Sequence, residues 1–263
     1  MTAPLVVAAA RYPEIADHGV IGDGRSAALV CLDGTVDWWC PPRFDAPSVF
    51  GCLLDARRGG HLRVAPAGPS RPSMRYVPDT NVLETTHETP TGTLRVHDML
   101  APPSITGVDE AVLLRRVACV AGEVEVDVEV APRFRYGETL PRFSDAPHGL
   151  LARGGGEILL VRGVALARRG PGVRGARVLL REGESFDLRV RHASVDVPVP
   201  FAKALAAEPA EIQARIEARD RAFAARTKAD GPHAHLVRRA ALALRLLQHE
   251  ETGAIVAAPT TSL

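Results

Sequence analysis

Apolar residues along this chain fall into short runs broken by Gly and Pro as far as about residue 192, and take up helical spacing after Pro200. The runs predict strands at 25–31, 35–39, 61–65, 81–88, 93–99, 111–120, 123–130, 157–163, 176–181 and 185–191. Glu123-Val124-Glu125-Val126-Asp127-Val128-Glu129-Val130 alternates with period two, which turns the valines to a core and the carboxylates outward. Asp33-Gly34 lies between two apolar runs and predicts a hairpin, because glycine accepts the positive φ of the turn. Thr91-Gly92 predicts a second hairpin, and Gly122 separates 111–120 from 123–130. A short helix is expected near Ser48–Asp55. The fold class that follows is mainly β, a large antiparallel sandwich, with helices at its C-terminal end.

Two helices are predicted there. Residues 209–228 begin at Pro209, a residue favoured in a first helical turn, and carry Ile212, Ile216 and Phe223 on roughly one face. The second helix, His233 to Glu250, has Leu236, Ala240, Leu244 and Leu247 on one stripe, with Val237, Ala241, Leu242 and Leu246 beside it. Between 240 and 247 only Arg245 interrupts the apolar faces, so this helix is expected inside a larger helical assembly. The chain accordingly divides into a β-sandwich over 1–200, a linker helix over 201–231, and a last helix and loop over 232–263. No internal repeat is evident.

Charge and composition remove several functions. The chain is 46% hydrophobic and 24% charged with a net charge of +1, so it lacks the basic surplus of a nucleic-acid binder. Its 32 basic residues include only two lysines, Lys203 and Lys228, a skew that genome composition explains. No stretch approaches the ~18 apolar residues of a membrane span, and the apolar run 5–10 has no positive residues before it. Neither a membrane nor a secretory route is expected, and the location expected is cytoplasmic. Cys31, Cys40, Cys52 and Cys119 show no Cys-x-x-Cys or zinc spacing; they are expected as reduced core thiols.

The chemistry legible from spacing is thin. Trp38 and Trp39 stand beside Arg43, Phe44 and Asp45; aromatic faces beside fixed polar groups suit a sugar, and the same set suits an ordinary hydrophobic corner. Carboxylates two apart on the 123–130 strand lie about 6.6 Å from each other, near the lower limit for an inverting glycosidase pair. Such a pair must flank its substrate from two sides, whereas four acids in a row read as a solvated face. His233 and His235 point about 200° apart on a helix and make no metal pair. His97 and Asp98 alternate across a strand. Gly154-Gly155-Gly156 leads into a strand rather than a helix, so it lacks the context of a phosphate loop. No cofactor and no metal site is expected, and no catalytic residue is assigned.

Several ordered segments resemble bacterial glycoside hydrolase family 15 proteins, the glucoamylase-like and trehalase-like enzymes. They are Tyr12–Asp17, Ile21–Val30, Asp33–Trp38, Pro42–Gly51, Tyr76–Thr85, Pro132–Gly137 and Thr252–Leu263. The resemblance implies an N-terminal β-supersandwich, a linker helix and an (α/α)6 barrel. That barrel would carry the two glutamates of an inverting hydrolysis of α-glucosides, trehalose or maltooligosaccharides. It also implies that 232–263 is the start of the barrel, cut before its catalytic residues. Trp39-Cys40-Pro41-Pro42 departs from the family's usual Leu-Cys-Leu-Pro, Phe223 stands where linker tryptophans are common, and 141–184 matches poorly.

Three readings follow. In the first the chain is the non-catalytic N-terminal domain of such a hydrolase, bracing the barrel and rimming its sugar pocket with Trp38, Trp39, Arg43 and Asp45. Its partners would be the barrel, or a second copy through 236–247, and an α-glucoside once a barrel is supplied. The second is a stand-alone carbohydrate-binding or interaction module, and the third an enzyme using Glu125 and Asp127.

Overall fold

The computed structural model describes residues 12–147, 149–197, 201 and 203–259. Among these residues fourteen strands, all antiparallel to their neighbours, form two hydrogen-bonded layers joined by one long strand. The chain opens with β1 (His18–Gly22), β2 (Ala27–Cys31), β3 (Thr35–Trp39) and β4 (His61–Pro66), then β5 (Arg71–Tyr76), β6 (Leu83–Glu88) and β7 (Gly92–Ala101). A single helical turn, α1 (Pro103–Thr106), leads into β8 (Ala111–Ala131). Next come the turn α2 (Phe134–Gly137), β9 (Arg142–Ala146), β10 (Gly149–Gly154), β11 (Glu157–Arg162), β12 (Ala167–Gly170), β13 (Val173–Arg181) and β14 (Ser185–Ser194).

The segments 111–120 and 123–130, expected as two strands, are one strand of 21 residues. Gly122 does not end it: the glycine takes φ +66° and bends it. Before the bend, β8 pairs with β7 and β14; after it, with β4 and β13. One strand therefore serves both layers, and the valines of its second half close the core from the side. Both hairpins form where their turn chemistry predicts, with Gly34 at φ +86° between β2 and β3 and Thr91-Gly92 between β6 and β7.

The interior between the layers is apolar, built on Trp39, Phe50, Leu62, Leu94, Leu113 and Leu188 among others. One charged pair lies within it. Arg115 on β8 donates from Nε and Nη2 to the two carboxylate oxygens of Asp98 on β7, at 2.6 and 3.1 Å. Its Nη1 reaches the carbonyl of Leu62 on β4 at 3.2 Å. A buried charge is tolerable only when paired and hydrogen-bonded, and this one also ties the layers together.

No helix forms at Ser48–Asp55. The Gly51 N–H goes across to the Gly59 carbonyl at 2.8 Å, and Trp39 and Phe50 form a β-bridge. A Cβ on Gly59 would sit 2.1 Å from the Gly51 oxygen, so close backbone approach, available only to glycine, wins over a local helix. The strands β1, β5, β9, β10 and β12 were not anticipated; Arg71–Tyr76 is polar and half-exposed, and β9, β10 and β12 are short, with Gly or Arg in them.

The helices α3 (Pro209–Arg226) and α4 (Ala234–Leu246) follow. On α3, Ile212 and Ile216 pack on Val82, Met99, Val112 and Leu114, covering the outer face of β7 and β8. On α4, Leu242 and Leu246 are buried, while Leu236, Val237 and Leu244 are 55%, 46% and 53% exposed. The helix expected to be buried all round packs on one side only. Asn81 fastens both helices to the sandwich: its N–H donates to Asp220 at 2.9 Å and its side-chain amide to the Leu242 carbonyl at 3.1 Å.

Candidate functional site

Strand β3 delivers Trp38 and Trp39 to opposite sides, and neither ring has a face open to a sugar, since both are fully buried. Trp39 stacks on Phe50 with centroids 6.1 Å apart, inside the main core. Trp38 lies against Tyr136, and its Nε1–H donates to the Pro259 carbonyl at 3.1 Å. A platform for a sugar ring needs an exposed face, so in this chain the tryptophans pack rather than stack on ligand. What Trp38 does is clasp the last described segment to the sandwich.

After β3 the chain passes the cis Pro41-Pro42 bond and enters a loop held by the Phe44 N–H donating to the Arg25 carbonyl at 2.8 Å. Phe44 turns inward against Ala27 and Leu246. That anchor leaves Arg43 and Asp45 outside, joined in a two-pronged ion pair with donor–acceptor distances of 2.9 and 2.7 Å. The hydrogen bond from Arg43 holds the Asp45 carboxyl below the usual carboxylate range. Because the pair is exposed to water it adds little stability, yet it fixes a charged edge.

That edge borders an open cleft of ≈ 780 Å³. Its other walls are the turn 249–256, Asp109 and Glu110, and the cleft ends of β11 and β14 with Glu157 and His192. Arg25 organises the meeting point: its Nη1 donates to Asp109 at 2.6 Å, and it lies 3.6 Å from both Glu250 and Glu251. The neighbouring Gly24 carbonyl accepts the Glu250 N–H at 2.8 Å. Within the turn, Gln248 and Ile255 form a bridge and the His249 N–H donates to the Ala254 carbonyl at 2.7 Å. The segment that follows α4 is thus laid along the rim of the sandwich by bonds that start at residues 22–26.

Beside this cleft lies a smaller, polar hollow of ≈ 210 Å³, reached by Asp23, Asn81, Arg219, Arg245 and His249. Asp23 Oδ1 accepts the N–H groups of Arg25 and Ser26 at 2.9 and 2.7 Å. Burial outweighs those bonds and pushes its carboxyl up to about 6. Leu246 closes the seam by packing so tightly on Gly22 that a Cβ there would come within 2.6 Å of its Cδ2.

The acidic row of β8 is occupied. Arg169 forks onto Asp127 at 3.1 and 2.6 Å and holds its carboxyl low, Arg177 lies 3.4 Å from Glu125, and Arg181 lies 3.3 Å from Glu123. These residues form an ion-pair ladder with β13 and β12 instead of a bare solvated face, and a depressed carboxyl is the reverse of what a general acid requires. Among the described residues, no cluster of three or more His, Cys, Asp or Glu is placed to hold a metal ion. Among them also, no helix is long and apolar enough to cross a membrane. The pair at Glu157 and His192 was not anticipated; its sequence signal is the glycine run 154–156, where Gly155 and Gly156 at φ +58° and +86° turn β10 into β11 and set Glu157 at the cleft.

Comparison with known proteins agrees with this layout. Residues 6–174 match the family model described as trehalase-like, N-terminal. The trehalase of Mycolicibacterium smegmatis is 33% identical over 300 aligned positions, which take in 100% of this chain and 43% of that protein. The trehalase of Mycobacterium tuberculosis is also 33% identical, over 96% of this chain and 40% of its own length. A bacterial glucoamylase solved with acarbose superposes over 92% of this chain and 42% of its own, with a TM-score of 0.68 at 10% identity, a likeness of fold. The chain thus spans about two-fifths of the length of the curated relatives it matches.

Proposed function

The chain belongs to the trehalase-like N-terminal family, and from that premise we propose that it is the non-catalytic sandwich of an inverting α-glucoside hydrolase. In this reading 1–200 is the sandwich, 201–231 the linker and 232–263 the start of a helical catalytic barrel. The observation that carries it is the outer face of α4, where Leu236, Val237, Ala240, Ala243 and Leu244 form a continuous exposed apolar stripe. Positions spaced one and two turns apart share a helix face, and an apolar face of that kind marks a surface made for a partner. The relatives are more than twice as long as this chain, so the occupant proposed is the helical remainder of the hydrolase.

The sandwich then has two tasks. It anchors the first barrel helix through Asn81, Arg239 over Tyr76 and Leu246. It also lends Arg43 and Asp45 to the rim of the α-glucoside pocket, with Trp38 holding Pro259 in place. Trehalose is the substrate the relatives' names favour. Cys31, Cys52 and Cys119, none of them in a disulfide among the described residues, support a cytoplasmic setting.

The test is complementation. This chain is mixed with the part of the M. smegmatis trehalase that it does not match, and trehalose hydrolysis is measured. Activity that needs both pieces, and that falls at least tenfold with Leu236→Glu/Leu244→Glu, is the expected result. Hydrolysis by the chain alone would refute the non-catalytic reading.

A further inference from the structure

The large cleft has a charge pattern that narrows what it can hold. Arg43 is matched by Asp45, Arg25 by Asp109, and His192 by Glu157 at 2.5 Å; behind the wall Arg191 meets Glu110 at 3.0 Å. Arg25 and Arg43 are already paired, and the carboxylates Asp45, Asp109, Glu110, Glu157 and Glu251 outnumber them in the lining, so the cleft offers no place for an anion. Between these pairs the lining is apolar: Pro42, Phe44, Ala193, Val197, Ala254 and Val256. Fixed hydrogen-bonding edges separated by hydrocarbon suit a neutral polyhydroxyl ring, whose hydroxyls meet the edges and whose C–H faces lie on the apolar wall.

We propose that Glu157 and His192 form a second wall of a neutral glucoside site, of which Arg43 and Asp45 are the first. This rests on the reading of the chain as part of an α-glucoside hydrolase. His192 is only 1% exposed, its Nε2 faces Glu157 Oε2, and among the described residues its buried Nδ1 meets no hydrogen-bond partner. Among the described residues the bond to His192 engages Oε2 of Glu157 and leaves Oε1 to accept a ligand hydroxyl. The Glu157 side chain is 25% exposed, enough to touch a ligand while its partner keeps it in one orientation. A preorganised acceptor loses less entropy on binding than a free one. The β10–β11 turn thereby becomes part of a binding surface: its glycines place the one acid of the cleft that a histidine holds.

The test is amide NMR of this chain titrated with trehalose and, separately, maltotriose. Shifts confined to 43–45, 156–158 and 192–194 are expected, with millimolar affinity. Glu157→Gln and the exposed Arg43→Ala should each weaken binding about tenfold, with thermal unfolding showing that each variant is folded. Glucuronate and glucosamine should bind no more tightly than trehalose. Shifts elsewhere, no shifts, unchanged affinity in Glu157→Gln, or tighter binding of a charged analogue would each overturn the site. Bracing is read separately, by co-elution with the helical remainder: co-elution without cleft shifts rejects the site alone, and cleft shifts without co-elution reject the brace alone.

Discussion

The interior of the sandwich and the outer face of α4 use the same residue types to opposite ends. Inside, Leu62, Leu94 and Leu113 are fully buried, and even the charged pair Arg115–Asp98 is sealed from water with its hydrogen bonds made. On α4, Leu242 and Leu246 are buried while Leu236 and Leu244 of the same helix stand in solvent. The sandwich closes its core with its own strands. The helix packs through one face and leaves the other apolar face exposed, which is why the proposed seam is placed on α4 rather than on either sheet.

The contrast can be broken most forcefully from the inside. Asp98→Ala would strand a buried guanidinium, and a loss of about 3–5 kcal/mol in urea unfolding is expected. Leu246→Ala should cost about 3 kcal/mol locally, within the usual range for a buried leucine. Hydrogen exchange should show α4 losing protection while β7 and β8 keep theirs. If the sandwich strands also loosened, the two regions would be one cooperative unit.

Asp23, at the seam, gives a pH test. Its carboxyl lies near 3.8 when unfolded and about 6 when folded, so the folded chain holds the proton more tightly. Its contribution to stability is therefore greatest below pH 3.8 and is lost as pH rises through 6. Asp23→Asn keeps an acceptor for the Arg25 and Ser26 N–H groups. It should stabilise the chain near neutral pH by up to about 3 kcal/mol, an advantage that vanishes toward about pH 4. A pH-independent difference between variant and parent in thermal unfolding would contradict this. The smallest effect belongs to the exposed stripe: Leu236→Glu/Leu244→Glu should shift stability by only about 0.5 kcal/mol per site. Light scattering should show it converting a self-associating chain into a monomer.

Much of the sandwich was legible because its signals are local. Period-two alternation marked the second half of β8, and Asp33-Gly34 and Thr91-Gly92 marked their turns. Pro209 marked the start of α3. What escaped is set by distant pairing: β1 and β5 lack strong alternation and are strands because β2 and β6 hydrogen-bond them. Gly122 reads equally as a break or a bend, and only the two sets of partners of β8 decide. At the candidate site the sequence singled out a loop whose Arg43 and Asp45 border the cleft, while Trp38 and Trp39 are buried. Adjacent tryptophans on a strand face opposite sides, and the second layer and Pro259 cover both. Glu157 and His192, 35 residues apart, meet only because β11 pairs with β14.

The most direct measurement of the central claim is hydrogen exchange on α4, with and without the helical remainder of a family member. Amides of 234–246 should gain protection on mixing, while those of β9 and β12, at the edges of the two layers, stay unchanged. Protection appearing on the sheets, with α4 exchanging as before, would show that the exposed stripe is not the docking face.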